Sequence, residues 1–147
     1  MEGRVLAVDP GSVRIGIAIS DPLQVIATPL TVIKHVSMSK DCQTISQLCQ
    51  EHDVSLVVVG QALGVDGEIN PASRHAQKMA DTLMTMVTQP VILWDESGST
   101  QYAKKVKQEM GVAHKKRTGH LDAHAAAVFL QYYLDSLTNW RVDEPAE

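Results

Sequence analysis

Aromatic side chains are scarce in this chain: one Phe, three Tyr and two Trp among 147 residues. That scarcity argues against gripping nucleic acid by rows of stacked rings. Cysteine is scarcer still. Cys42 and Cys49 are seven residues apart on a predicted helix, so they share a face but stand two turns from each other. A disulfide needs closer Cα atoms. Both read as small core residues in a reducing compartment, and no zinc-ligand spacing is present. No apolar run approaches the roughly 18 residues of a membrane span, and the first residues lack a charged-then-apolar signal pattern. Bulk positive charge is missing too, since the formal net charge is -4. The expectation is a soluble cytoplasmic protein with no membrane partner, and not one that coats nucleic acid by charge alone.

What is present is an ordinary globular balance, with 44% hydrophobic and 20% charged residues. The length suits one domain. Residues 1–138 are expected to form it, and 139–147 to form a polar acidic tail carrying Asp143, Glu144 and Glu147.

The order of elements is informative. Arg4 to Val8 is a short apolar strand, Arg14 to Ile19 a second, and Gln24 to Ile33 a β-branched third, joined by turns at Gly11 and Asp21-Pro22. The period then changes. Ser39 is the expected cap of a helix with Cys42, Ile45, Leu48 and Cys49 on one face. Ser55 to Val59 reads as a strand buried on both faces. Asn70 and Pro71 open a second helix lined by Ala76, Met79, Ala80, Leu83 and Val87. Pro90 to Trp94 is another buried strand. A helix from Ser99 or Thr100, a basic loop from Gly111 to Gly119, and a closing helix from Leu121 to Leu137 complete the chain. Strands separated by helices pair in parallel through crossovers. The simplest packing is an α/β fold, a mixed five-stranded sheet with helices on both faces. Such sheets place their sites beyond the carboxyl ends of central strands.

Three acids fall at element ends. Asp9 closes the first strand before Pro10-Gly11, Glu96 follows a later strand in Trp94-Asp95-Glu96, and Asp122 opens the last helix. Ala125 and Ala126 would let that helix lie close to the sheet. Each acid has a plainer reading: Asp-Pro-Gly is good turn chemistry, Asp95-Glu96 fits a solvated loop, and Asp122 suits a helix N-terminus. Together they fit another use. Clustered carboxylates raise one another's pKa unless a cation neutralises them. Their oxygens suit Mg²⁺ or Mn²⁺, which can activate water and stabilise a leaving oxygen in phosphodiester cleavage.

The run Val8-Asp9-Pro10-Gly11-Ser12-Val13-Arg14-Ile15-Gly16-Ile17-Ala18-Ile19-Ser20-Asp21 resembles the opening signature of the YqgF family. These are Holliday-junction-resolvase-like proteins, also described as pre-16S ribosomal RNA nucleases. Val59-Gly60, Asp66-Gly67 and Arg74 resemble its middle segment. Asp95-Glu96 with Ser99-Thr100 resembles its acidic motif, and Asp122 with Leu130-Gln131-Tyr132-Tyr133-Leu134 its closing helix. The likeness spans about residues 4 to 137. It implies a ribonuclease H-like fold and a metal-dependent nuclease with catalytic, metal-binding acids at Asp9, Glu96 and Asp122. The element order agrees with that fold. The chain departs from the family pattern at Val13, where a lysine is usual, at Gln61-Ala62, where a proline is frequent, and at Ser97-Gly98, where an arginine and an apolar residue are usual.

Arg14 stands where the family has a basic residue, and Arg74 belongs to the middle segment. Six of the 13 Lys and Arg lie between Lys104 and Arg117. Lys115, Lys116 and Arg117 just precede Asp122, well placed to meet a phosphate backbone entering the site. His114, His120 and His124 flank the same acid and read as structural or exposed. The expected partner is structured nucleic acid, with precursor ribosomal RNA ahead of branched DNA, and the expected state a monomer or homodimer. Three alternatives stand beside 5′-end processing of pre-16S ribosomal RNA. One is a Holliday junction resolvase, one a non-catalytic nucleic-acid-binding module, suggested by the missing arginine, and one a phosphate binder of the actin and sugar-kinase type. The last generally needs two such domains.

Overall fold

The structure is a computed structural model. It describes residues 3–96 and 121–143, with side chains of the second stretch from Ala123 to Leu137. In chain order the elements are β1 (Arg4–Asp9), β2 (Arg14–Ser20), β3 (Ala27–Lys34), α1 (Met38–Glu51), β4 (Val54–Gln61), α2 (Pro71–Met84), β5 (Val91–Asp95) and α3 (Leu121–Asp143), with a single 3₁₀ turn at Val65–Gly67. The strands form one sheet in the order β3-β2-β1-β4-β5. β1 pairs with β2, and β2 with β3, antiparallel, while β4 lies parallel to both β1 and β5. This is the mixed five-stranded sheet that the element order predicts.

Helices cover both faces, which explains the continuous apolar runs of the central strands. Alternate residues serve alternate faces. Leu6, Val8, Ile15, Ile17, Val57 and Val59 pack under α1 and α2, against Cys42, Ile45, Cys49, Met79 and Leu83. Val5, Ala7, Ala18 and Val58 pack under α3, against Ala126, Phe129, Leu130, Tyr133 and Leu134. A fully buried side chain of the Val, Leu or Phe kind stabilises by about 1.5–3 kcal/mol, so the two layers together hold the sheet between the helices. Small residues meet small residues at the α3 layer. Ala123, Ala126 and Ala127 are the buried alanines of α3 among its described residues, and Ala7 and Ala18 face that layer from the sheet. Ala125, expected beside Ala126, is exposed instead, because the inward face of a 3.6-residue period runs through 123, 126, 130 and 133.

Two boundaries differ from expectation for local reasons. The third strand begins at Ala27, not Gln24. The Asp21 carboxylate accepts from Val25 N and Ile26 N at 2.8 Å each, and Gln24 takes a positive φ of 61°, so these residues form a turn. The cap of α1 is Ser37 rather than Ser39. Its extended backbone lets its hydroxyl accept from Lys40 N at 3.1 Å, while Ser39 already lies inside the first turn. The Asn70-Pro71 start of α2 is as expected and forms a capping box with Ser73. α3 continues past Leu137 to Asp143. The helix expected from Ser99 or Thr100 and the basic loop lie outside the described residues.

Cys42 and Cys49 are free and buried, and burial pushes both thiols up to about 11, well away from reactivity at neutral pH. Among the described residues no helix is long and apolar enough to cross a membrane.

Candidate active site

The parallel strands β1, β4 and β5 deliver their carboxyl ends to one edge of the sheet. Asp9 is the last residue of β1 and is half-buried. Two positions before it, Ala7 packs in the α3 layer, so alternation puts Asp9 on that face too. On β5, Trp94 packs in the same layer. Its ring meets Tyr132 and Tyr133 edge-on at centroid distances of 4.8 and 5.3 Å and stacks on Phe129 at 6.3 Å. These contacts pin the end of β5 to α3. Glu96 lies two residues on, with its N–H donating to the Gln61 carbonyl at 2.9 Å, one step beyond the Gln61–Asp95 pair. The β5 geometry therefore continues to Glu96 and aims its side chain at the α3 face.

Gly60 makes room for that side chain. A Cβ at Gly60 would come within 2.9 Å of Glu96 Cδ, 3.0 Å of Glu96 Oε2 and 3.0 Å of Phe129 Cε2. The Glu96 carboxyl thus lies where any other residue at position 60 would project. Burial holds this acid far above the ordinary carboxylate range, to about 9, reinforced by the charge of Asp9, by a hydrogen bond between the two side chains, and by Asp95. A proton held by the pair lets one carboxyl donate to the other. Asp95 itself is exposed, and its Oδ1 accepts from Leu63 N at 3.4 Å, tying the β4–α2 loop to the same edge.

Asp9 and Glu96, separated by 87 positions in sequence, are therefore brought together as expected. Asp122 is the second residue of α3, but its side chain lies outside the described residues, and among those residues no group of three His, Cys, Asp or Glu side chains is assembled. Arg14 is exposed at the start of β2, at the same edge as Asp9. Arg74 is exposed on α2, at the opposite face of the sheet from α3. Lys115, Lys116, Arg117, His114, His120, Ser97 and Gly98 lie outside the described residues. His124 is half-buried on α3. Gly60, met in the sequence as the glycine after the buried run to Val59 and as part of the middle segment, and Phe129 both shape the site without being among the expected site residues. A glycine closing a buried parallel strand at a proposed site edge is the signal that was available.

Two hard oxygen donors held together at a cost, one of them keeping a proton to relieve repulsion, suit a divalent cation of the Mg²⁺ or Mn²⁺ type. The donor set therefore fits the metal that a phosphodiester-cleaving site of this kind would use.

The chain resembles known proteins over nearly its whole length. The RuvX family model, described as Holliday junction resolvase, matches residues 3–136. A Roseiflexus sp. (strain RS-1) protein named "Putative pre-16S rRNA nuclease" is 35% identical over 134 residues, covering 91% of this chain and 95% of that protein. One of the same name from Thermoanaerobacter pseudethanolicus is 36% identical over 137 residues, covering 92% and 99%. Among solved structures, T. thermophilus RuvC in complex with Holliday junction substrate superposes with a TM-score of 0.61 at 15% identity, covering 92% of this chain and 96% of that one. That likeness is one of fold, and the fold is ribonuclease H-like. With residues 3–136 matched by the family model and relatives 35–36% identical over nearly its whole length, the chain belongs to the RuvX family, the Holliday-junction-resolvase-like proteins also called YqgF.

Proposed function

We propose that this protein is a metal-dependent nuclease that hydrolyses phosphodiester bonds in structured nucleic acid, and that its role is processing the 5′ end of pre-16S ribosomal RNA in the cytoplasm. The observation that carries the reading is the Asp9–Glu96 pair. The two carboxyls share a hydrogen bond at the carboxyl edge of the sheet, in a seat kept open by Gly60. Burying two acids against each other is unfavourable for the fold alone, and a site that receives a cation gives the arrangement a use. The names of the relatives support the choice of ribosomal RNA.

Asp9, Glu96 and Asp122 would hold the metal. Bound Mg²⁺ or Mn²⁺ would supply neutralisation of the acids, an activated water and stabilisation of the leaving oxygen. The chain's own residues do the rest. Asp9 and Glu96 fix the donor oxygens on the α3 face, with Glu96 held in place by its backbone bond to Gln61 and by the aromatic packing of Trp94. Glu96 gives up its proton when the site is loaded, since a carboxylate ligand must be ionised. Arg14, Lys115, Lys116 and Arg117 are assigned to the phosphate backbone, whereas Arg74, on the α2 side of the sheet away from the acids, is not.

The purified protein and Asp9→Asn would be incubated with a pre-16S 5′ leader RNA and with a four-way DNA junction, each with Mg²⁺, with Mn²⁺ or with chelator. Metal-dependent cleavage of the RNA, lost in the variant, is expected. A second reading, resolution of branched DNA, is favoured by the family description and by the RuvC-like fold. It requires two sites placed symmetrically in a homodimer, so junction cleavage by a dimer would select it over a monomeric RNA nuclease. Binding of both substrates without cleavage would leave a non-catalytic module.

A further inference from the structure

Arg14 on β2 and Lys34 on β3 are direct cross-strand partners. Directly opposed residues of an antiparallel pair project from the same face. Their neighbours Ile15 and Ile33, also opposed, pack in the α1/α2 layer, so Arg14 and Lys34 belong to the α3 face, the face of Asp9 and Glu96. Both cations are exposed. Neither has a carboxylate partner among the described residues, where the one ion pair is that of His35 with Asp41.

Their position relative to the acids follows from register. Asp9 opposes Gly16, and Gly16 opposes Val32. Arg14 is two residues beyond Gly16, about 7 Å along the strand, and Lys34 lies one strand further out, about 5 Å away. Gly16 places no side chain between Asp9 and the cations. Like charges directly opposed across two strands destabilise a sheet. Here they are retained at the edge where the acid pair sits, on a chain that is acidic overall. An anion bridging the two cations would turn that repulsion into attraction.

We propose that Lys34 and Arg14 form a two-cation clasp for a backbone phosphate neighbouring the scissile one, with Lys34 a positioning residue of the site. The clasp rests on the nucleic-acid substrate proposed above. Phosphate contacts fix the register of a bound strand and carry no sequence information. The clasp would therefore set which phosphodiester lies over Asp9 and Glu96, whatever the bases.

The test uses the full chain and a fluorescein-labelled pre-16S 5′ leader hairpin RNA, in chelator so that nothing is cleaved. Kd is measured across a range of salt for wild type, Arg14→Gln, Lys34→Gln and Lys78→Gln, the last an exposed cation of α2 on the other side of the sheet. Each clasp variant should bind roughly 5- to 10-fold more weakly at low salt and lower the slope of log K against log salt by about 1. Lys78→Gln should change neither. In cleavage assays Lys34→Gln should raise KM with kcat little altered. Its thermal midpoint should be no lower than wild type, because a repulsion has been removed. Unchanged affinity and slope in Lys34→Gln, an equal loss in Lys78→Gln, or a lowered thermal midpoint would each overturn the clasp. Because binding is read without metal, a fall in slope stands even if no buffer supports cleavage. Intact cleavage with an unchanged slope sinks the clasp and spares the nuclease.

Discussion

Gly60 and Glu96 occupy one space. The carboxyl of Glu96 fills the volume that a Cβ at position 60 would claim, at 2.9 Å from Cδ, with the ring of Phe129 closing the other side at 3.0 Å. The pairing joins the ends of two adjacent parallel strands, β4 and β5, to a helix that follows much later in the chain. It makes the placement of one acid depend on the absence of a side chain at a position 36 residues earlier.

Gly60→Ala is therefore expected to act on the site before it acts on the fold. Phe129 is a fully buried ring in the α3 layer, whereas the Glu96 carboxyl is the far end of a flexible side chain, so the new methyl displaces the carboxyl. Overpacking of this kind costs about 1–3 kcal/mol, which a domain of this size survives. Misplacing a catalytic group by a fraction of its length can cost on the order of 100-fold in rate. The expected outcome is a folded protein by circular dichroism, a modestly lowered denaturation midpoint, and cleavage reduced about 100-fold. Wild-type cleavage in Gly60→Ala would mean that Glu96 does not need this seat.

Glu96→Gln separates function from stability. Folding raises the Glu96 carboxyl from its ordinary 4.5 to about 9. The unfolded chain releases this proton near 4.5 while the native chain keeps it, so the native state binds more protons between those values. The stability contributed by the protonated acid is then complete below about 4.5 and is lost as pH rises through 9. Glutamine keeps the shape and removes the titration. In chelator, the wild-type melting temperature should fall from about pH 5 to pH 9 by more than that of Glu96→Gln. At about pH 8 the variant should be the more stable, on the order of a few kcal/mol, and should have no cleavage activity. Parallel pH profiles for the two proteins would contradict the buried-acid assignment.

Local chemistry made much of this fold legible in the sequence. Asn70-Pro71 announced α2 because a cap and a fixed φ need no tertiary information, and the apolar run before Gly60 announced a doubly covered strand. Asp9 was legible as the end of such a strand, but Pro10-Gly11 alone reads as a turn, and only the other two acids and the likeness to the YqgF signature single it out as a site acid. The misses are cases where a competing local bond or a distant partner decides. The Asp21 carboxylate captures Val25 and Ile26 and delays β3, despite their β-branched side chains. Ser37 displaces Ser39 as the cap because Asp41, one turn in, is drawn into the core by His35 and Val36. The Arg14–Lys34 pairing depends on the register of two strands, including a shift between Ile17 and Ala18, that neither strand encodes by itself. Gly60 takes its meaning from Glu96, a relation between strands that no local pattern expresses.

Asp41 anchors the crossing from the sheet to α1. It is 1% exposed, accepts from Val36 N at 3.0 Å, and meets His35 Nδ1 at 2.6 Å. Removing it leaves a backbone donor and an imidazole nitrogen without their partner and a cavity at the first turn of α1. Asp41→Ala should cost about 2–3 kcal/mol, whereas His35→Ala, which removes the half-exposed partner, should cost less. Urea denaturation of both variants measures this. Equal, small losses would show that the buried carboxylate is satisfied by other groups.

Metal loading should release a proton. In the metal-free protein Glu96 holds one against Asp9, and a divalent cation competes for the same oxygens. Affinity for Mg²⁺ or Mn²⁺ should therefore rise with pH through the neutral range, up to about tenfold per pH unit for a single displaced proton. Titration of Mn²⁺ by calorimetry at about pH 7.5, repeated in two buffers of different ionisation enthalpy, reads the proton count directly. The observed heat should differ between buffers by close to one ionisation enthalpy for each metal that displaces the shared proton. Asp9→Asn removes one of the two charges and one of the proposed metal ligands, so its affinity should fall by at least about tenfold. Heats identical in the two buffers would mean that Glu96 is already ionised before metal arrives. The cation would then meet two free carboxylates, and the pair would have to tolerate its repulsion by some other contact.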